Sequence, residues 1–166
     1  MHKSEPKLAV FPGTFDPLTL GHTDLIHRAS SIFDKVLVAV AESPAKHTLF
    51  SLSERVQAIK DTFDNYSNIE VIGFTGMLPD LLKEKNAKVL VRGIRTVADY
   101  DYEMSLSGMY RMVMPQVEIV MLPASGNLTF VSSTFVRDII IHRGDISKFA
   151  PETVVQLAKK HYSLMT

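Results

Sequence analysis

The 166-residue chain has no cysteine and no tryptophan, and its 18 Lys+Arg are matched by 18 Asp+Glu. Without cysteine there can be no disulfide scaffold, thiolate nucleophile or cysteine zinc site, and the composition suits a reducing cytosol. Zero net charge disfavours a general nucleic-acid coat or a polybasic membrane patch, though a local positive cleft stays open. No apolar run approaches the roughly 20 residues that a membrane helix needs. The polar start, Met1-His2-Lys3-Ser4-Glu5-Pro6-Lys7, has no apolar signal core behind it. Together these absences predict a cytoplasmic protein. A Gly-x-x-x-x-Gly-Lys loop, a Gly-x-Gly-x-x-Gly after the first apolar run and a Gly-x-Ser-x-Gly elbow are also missing. The histidines are scattered, so no protein metal site is expected.

What is present is an ordinary globular composition, 46% hydrophobic and 22% charged. The length fits one domain over residues 1–166, with 1–7 expected as a flexible N-terminal extension. Short apolar runs alternate with longer amphipathic ones. Leu8 to Phe11, Val36 to Ala41, Ile69 to Phe74, Lys88 to Arg92 and Val117 to Leu122 read as strands. Helices are expected over about Gly21 to Phe33, after the Ser51-Leu52-Ser53-Glu54 capping box, around Leu78 to Leu82, from Thr96 to about Met112, and from Ser133 to His142. Pro151 is expected in the first turn of a last helix. Met104, Met109 and Met112, at helical spacing, read more readily as core than as interface.

The strand runs do not alternate apolar with polar, which marks a parallel sheet covered on both faces. The expected fold is therefore α/β: a three-layer, doubly wound, five-stranded parallel sheet of Rossmann-like type. Ligands of such sheets bind beyond the carboxyl ends of the strands where strand order reverses, here expected between the first and fourth strands.

The polar residues after those strands carry the chemistry. The first strand is followed by Pro12-Gly13-Thr14-Phe15-Asp16-Pro17-Leu18-Thr19-Leu20-Gly21-His22. His22 falls in the first turn of a helix, where the positive dipole end favours phosphate. A lone histidine there would be a cap, but Thr14 and Gly21 beside it favour an anion site. After the fourth strand, Arg92-Gly93-Ile94-Arg95 offers two guanidinium forks that match phosphate geometry. Ion pairs to Asp99 or Glu103 are the competing explanation, and both can hold at once. Ser132-Ser133-Thr134 opens a third helix with more hydroxyls than one N-cap requires. Lys46, taken alone, is a solvated surface lysine.

Gly13-Thr14-Phe15-Asp16-Pro17 with Thr19-Leu20-Gly21-His22 resembles the first signature of the nucleotidyltransferases that share a fold with class I aminoacyl-tRNA synthetases. Ser132-Ser133-Thr134-Phe135-Val136-Arg137 resembles their second. The segments Ser43-Pro44-Ala45-Lys46, Val91-Arg92-Gly93-Ile94-Arg95 and Asp99-Tyr100-Asp101-Tyr102-Glu103-Met104 narrow the resemblance to the bacterial phosphopantetheine adenylyltransferase family, over about Leu8 to Leu157. The resemblance implies transfer of the adenylyl group of ATP to 4′-phosphopantetheine, giving dephospho-coenzyme A and pyrophosphate. It implies catalytic roles for His22, Thr14, Lys46 and Arg95. It places Phe15, Gly93, Ile94 and Glu103 on the nucleotide side, with Leu128, Thr129, Phe130, Val131, Ser132, Ser133 and Thr134. Lys46 and Arg92 would hold the pantetheine phosphate, Thr14 would lie between the two substrates, Leu78 would line the pantetheine arm and Asp99 would support the arginines.

Magnesium is implied as the companion of ATP, a homohexamer as the assembly, and coenzyme A as a feedback ligand. Two positions depart from the family pattern. His47 stands where a second lysine is common, and Leu128 where an aromatic residue often stands. The nearest alternative is a sister nucleotidyltransferase with another small phosphate acceptor. A nucleotide sensor without chemistry is opposed by the intact His22 and Ser132-Ser133-Thr134. A tRNA-binding fragment is opposed by the neutral charge. A phosphate monoester is already anionic near neutral pH, so the reaction needs charge neutralisation and alignment more than a general base. That demands one cavity shared by His22, Arg95 and Ser133.

Overall fold

The apolar runs become five strands: β1 (Leu8–Gly13), β2 (Lys35–Ala41), β3 (Ile69–Phe74), β4 (Val89–Ile94) and β5 (Glu118–Pro123). The amphipathic stretches become α1 (Leu20–Ile32), α2 (Leu52–Thr62), α3 (Leu78–Glu84), α4 (Val97–Val113), α5 (Ser133–Ile141) and α6 (Glu152–Leu164), with a 3-10 turn at Gly126–Leu128. These come from a computed structural model that describes residues 7–42 and 47–164, the Leu164 side chain excepted. Lys46 lies outside the described residues. Lys7 is already tied to the domain: its N–H donates to Asp34 Oδ2 at 2.7 Å and its carbonyl accepts from Lys35.

All neighbouring strands are parallel, in the order β3-β2-β1-β4-β5. Alternate residues of the central strands feed two cores, as the period of two dictates. Ala9, Phe11, Val36, Val38 and Val40 pack with the buried faces of α1, α2, α5 and α6. Val10, Leu37, Ala39 and Leu90 pack on the other face with Leu81 and Leu82 of α3. The expected doubly wound α/β fold is therefore what the chain forms. Among the described residues no helix is long and apolar enough to cross a membrane.

The chain winds outward from β1 to β3, then returns to place β4 on the other side of β1. At this reversal β1 and β4 pair only through Ala9↔Val89 and Val10↔Leu90. Their outer pairings continue to Gly13↔Val40 and to Ile94↔Pro123. The two central strands thus part over their carboxyl halves, and a crevice opens between them, where a doubly wound sheet binds its ligands.

Two expectations need correction. Pro151 precedes α6 rather than entering its first turn. Its carbonyl accepts from the N–H groups of Val154 and Val155, which makes it the cap residue. The methionines of α4 are not core: Met104, Met109 and Met112 are exposed, and Glu103 is the buried residue of that helix. The helix leads into β5, the edge strand, so no further strand of this chain lies on that side to cover it.

The predicted capping box forms at α2. Glu54 N–H donates to Ser51 Oγ at 3.3 Å, and Ser51 N–H donates to Glu54 Oε2 at 2.9 Å. The hydrogen bond from the Ser51 hydroxyl, then that from its backbone, holds the Glu54 carboxyl below its ordinary pKa. A depressed carboxylate pKa stabilises the fold above the unfolded value, and the contribution is lost as pH falls through the folded one. Ser51→Ala is expected to cost about 1 kcal/mol at neutral pH. Thermal unfolding should show that margin shrinking once pH drops below the carboxylate range.

Candidate active site

A cavity of about 590 Å³ sits where β1 and β4 separate. One wall is the loop from β1 into α1. Gly13 is required there because a Cβ would come within 2.8 Å of the Phe15 ring. Phe15 itself is buried with φ of 49°, the left-handed region that non-glycine residues seldom occupy. Its ring meets His22 edge-on, with centroids 5.1 Å apart and planes at 80°.

His22 is the third residue of α1 and closes a capping box with Thr19. Thr19 N–H donates to His22 Nδ1 at 3.1 Å, and Thr19 Oγ1 lies 3.0 Å from the same nitrogen. An Nδ1 that accepts a backbone N–H carries no proton, so the neutral ring bears its proton on Nε2. Burial, and secondarily the charge of Arg95, lowers the His22 pKa to about 4. At neutral pH His22 is therefore an uncharged, oriented Nε2–H donor at the positive end of a helix.

The opposite wall is built after β4. Arg92 reaches Glu103 through two bonds, Nε to Oε2 at 2.8 Å and Nη2 to Oε1 at 2.6 Å. Burial opposes the Arg92 charge, but the hydrogen bonds and charge of Glu103 outweigh it and raise its pKa. A guanidinium has five N–H groups, so this fork leaves others for a ligand. Arg95 donates from its backbone N–H and from Nε to Asp99 Oδ2, at 3.0 and 3.3 Å, and from Nη1 to Val131 O at 3.3 Å. Both ion pairs weighed from sequence exist, and both border the cavity. Each carboxylate splints an arginine.

The third wall is the start of α5, and its three hydroxyls have three tasks. Ser132 Oγ caps the helix by accepting from Phe135 N–H at 3.1 Å. Ser133 Oγ donates to Pro17 O at 2.8 Å, which fastens the second signature to the first. Thr134 Oγ1 accepts from Arg137 Nη2 at 3.2 Å. The N–H groups of Ser133 and Thr134 lie in the first turn and have no intrahelical acceptor.

His22, Arg95 and Ser133 thus border one cavity, as do Thr14, Phe15 and Arg92. Gly93, Glu103, Val131, Ser132 and Thr134 border it too, and Leu78 closes its far end from α3. Four of the expected nucleotide-side residues do not line it. Ile94 ends β4 opposite Pro123, and Leu128 packs partly buried against the main core. Thr129 Oγ1 donates to Gly126 O, and Phe130 is 65% exposed. His47 is exposed.

Three charged residues that support this geometry were not singled out from sequence. Arg55, one of the few buried charged side chains, bonds three backbone carbonyls. The carboxylate of Asp16 accepts from Leu49 and Phe50 N–H at 2.8 and 3.0 Å. Arg137 Nη1 donates to Asp16 O at 2.6 Å. The one available signal was Arg55, a charge in line with Ile59 on the apolar face of α2.

Because the His22 pKa lies below its ordinary 6.5, the folded state takes up this proton later than the unfolded chain. The stability it contributes is complete above 6.5 and is lost as pH falls towards 4. Two-dimensional NMR of labelled imidazoles should show His22 as the Nε2–H tautomer at pH 7. Its titration should show no inflection near 6.5 and one near 4.

The comparisons with known proteins agree with this geometry. The cytidylyltransferase-like family model matches residues 10–139. The phosphopantetheine adenylyltransferase of Tolumonas auensis is 50% identical over 150 residues, covering 90% of this chain and 92% of that protein. That of Polynucleobacter necessarius is 48% identical over 154 residues, covering 92% and 93%. A crystal structure from Vibrio parahaemolyticus, assigned as a nicotinate-nucleotide adenylyltransferase, superposes with a TM-score of 0.70 over 95% of this chain and 94% of that one. At 18% identity it speaks for the fold alone. With its two signatures meeting at one cavity and half its residues shared with such relatives, the chain belongs to the phosphopantetheine adenylyltransferase family of cytidylyltransferase-like nucleotidyltransferases.

Proposed function

We propose that the chain works as one nucleotidyltransferase domain in the cytoplasm, transferring the adenylyl group of ATP to 4′-phosphopantetheine in coenzyme A biosynthesis. A phosphate oxygen of the acceptor attacks the α-phosphorus of ATP. The bond from that phosphorus to the bridging oxygen breaks, and pyrophosphate leaves as dephospho-coenzyme A forms. The observation that carries this reading is the cavity shared by His22, Arg95 and Ser133 at the sheet reversal.

Two anions must meet there, so the chain's contribution is neutralisation, alignment and fixed donors. His22 Nε2–H donates to the phosphates as charge builds on the leaving group. Its low pKa keeps it a donor rather than an acid, consistent with an acceptor that needs no general base. Arg95 and the first turn of α5 take the nucleotide phosphates, while Arg92 and Lys46 take the acceptor phosphate beside Thr14. Leu78 contacts the pantetheine arm.

Nucleotidyl transfer from ATP generally uses a divalent metal, and we assign magnesium. Among the described residues no group of three or more His, Asp or Glu gathers to hold an ion. Asp99 and Glu103, the carboxylates bordering the cavity, are each engaged by an arginine. The residues therefore fit an ion that arrives on the nucleotide and keeps water and phosphate oxygens as ligands. The exposed Met104, Met109 and Met112 of α4 are a suitable subunit contact for a homohexamer.

The direct test is incubation with ATP, magnesium and 4′-phosphopantetheine, with mass spectrometry of the product. Dephospho-coenzyme A is expected. Turnover of another phosphate acceptor, such as nicotinamide mononucleotide, in its place would replace this reading by the sister activity. His22→Ala should lower kcat on the order of 10²–10³-fold, with ATP affinity by calorimetry little changed. Equal losses in both would make His22 a ground-state anchor. Lys46→Ala should raise KM for the pantetheine substrate and spare ATP binding, as steady-state pyrophosphate release would show.

A further inference from the structure

The cavity has two halves, set by the strand order. Gly93, Arg95 and Ala124 border it from the ends of β4 and β5, while Thr14, Ala41 and Phe74 border it from the ends of β1, β2 and β3. The second half is held from behind by charged side chains that do not line the cavity. Arg55, 2% exposed, donates from Nη1 to Thr14 O at 2.6 Å and to Ala41 O at 2.9 Å, and from Nε to Phe50 O at 3.1 Å. One guanidinium thus staples the ends of β1 and β2 together behind the wall they form. Asp16, also 2% exposed, takes the N–H groups of Leu49 and Phe50. The backbone of Phe50 is therefore gripped from both sides, its N–H by Asp16 and its carbonyl by Arg55. Arg137 Nη1 lies 3.7 Å from Asp16 Oδ2 and donates to Asp16 O, so the brace reaches α5.

A packed apolar side chain would serve stability as well as this buried polar brace, and buried charges are costly to retain unless fully bonded. What the brace supplies is a fixed distance between Thr14 and Ala41, the two backbone segments of the acceptor half. We propose that Arg55 and Asp16 are positioning residues that hold the acceptor half of the cavity in its reactive geometry without touching either substrate. This rests on the proposed adenylyl transfer and on the acceptor lying over β1 and β2.

Lysine at position 55 would keep the charge, but a single ammonium on a flexible stem cannot reproduce a rigid fork bonded to three carbonyls. Asparagine at position 16 would keep one acceptor oxygen for two N–H donors. Displacing a reacting group by about 1 Å is worth on the order of 10²-fold in rate. Arg55→Lys is therefore expected to lower kcat/KM for 4′-phosphopantetheine by about that factor while the ATP Kd moves less than about twofold. Asp16→Asn should show the same split, more weakly. Steady-state kinetics in the acceptor, calorimetry with ATP in the absence of acceptor, and circular dichroism on the same samples provide the readouts.

Unchanged acceptor kinetics in a folded Arg55→Lys protein would overturn the proposal, and so would equal losses in ATP binding and acceptor use. If Arg55→Lys does not fold, Asp16→Asn decides by the same criteria. Failure of both to fold also counts against it, since the pair would then determine the fold rather than the acceptor geometry. A wild-type protein that makes no dephospho-coenzyme A refutes the reaction itself, whereas an active wild type with unaltered variants refutes only the positioning role.

Discussion

Hydrogen bonding between β1 and β4 ends at Val10↔Leu90, while each strand stays paired with its outer neighbour for several more residues. The backbone groups released from the central ladder are what the site is made of. Gly13 and Thr14 turn away on one side, and Arg92, Gly93 and Arg95 rise on the other. A sheet that stayed paired to the ends of both strands would close this space. The parting depends in turn on the winding of the chain, because a reversal of strand order leaves two connections running to opposite faces with nothing to fill the gap. Gly93 marks how close the packing is there: a Cβ at that position would collide with the Leu25 side chain of α1.

The electrostatics of the cavity are more restrained than its arginines suggest. Arg92 is gripped by Glu103 and Arg95 by Asp99, so each cation is half-neutralised before any phosphate arrives. Leaving such a guanidinium unpaired in a partly buried site would be costly, and pairing also fixes its direction. His22 completes the balance by carrying no charge at neutral pH. Burial beside Arg95 removes its proton affinity, and Thr19 determines which nitrogen keeps the remaining hydrogen. A donor without a net charge can be stored in the cavity at little cost and still serve a developing anion.

The two signature segments lie more than a hundred residues apart, and specific polar contacts join them. Ser133 reaches Pro17 O, and Arg137 reaches Asp16 O. On the far side of α1, Arg28 and Ser125 converge on Asp24, with Arg28 also bonding Pro123 O, so the end of β5 is tied to the same helix. These bonds run from side chain to backbone over long sequence separations. They align loops whose own sequences have no reason to meet.

Much of this protein was written locally. The apolar runs fix the strands through their continuous burial, and the capping box at Ser51 and the cap at Thr96 set helix starts through three-residue spacings that need no partner elsewhere. The identity of the chemical groups, His22, the Arg92–Arg95 pair and the serines of α5, was equally legible, since poorly packing residues cluster just after strands. The fold decided what depends on distance between remote segments. It placed Phe130 and Thr129 away from the cavity, turned the methionines of α4 outward because that helix leads into an edge strand, and drew Arg55 and Asp16 inward as a brace. Capping and periodicity act within a few residues and leave a pattern in the chain. A guanidinium that satisfies three carbonyls from three segments leaves none, because backbone carbonyls are the same in every residue and only the folded topology selects which of them meet.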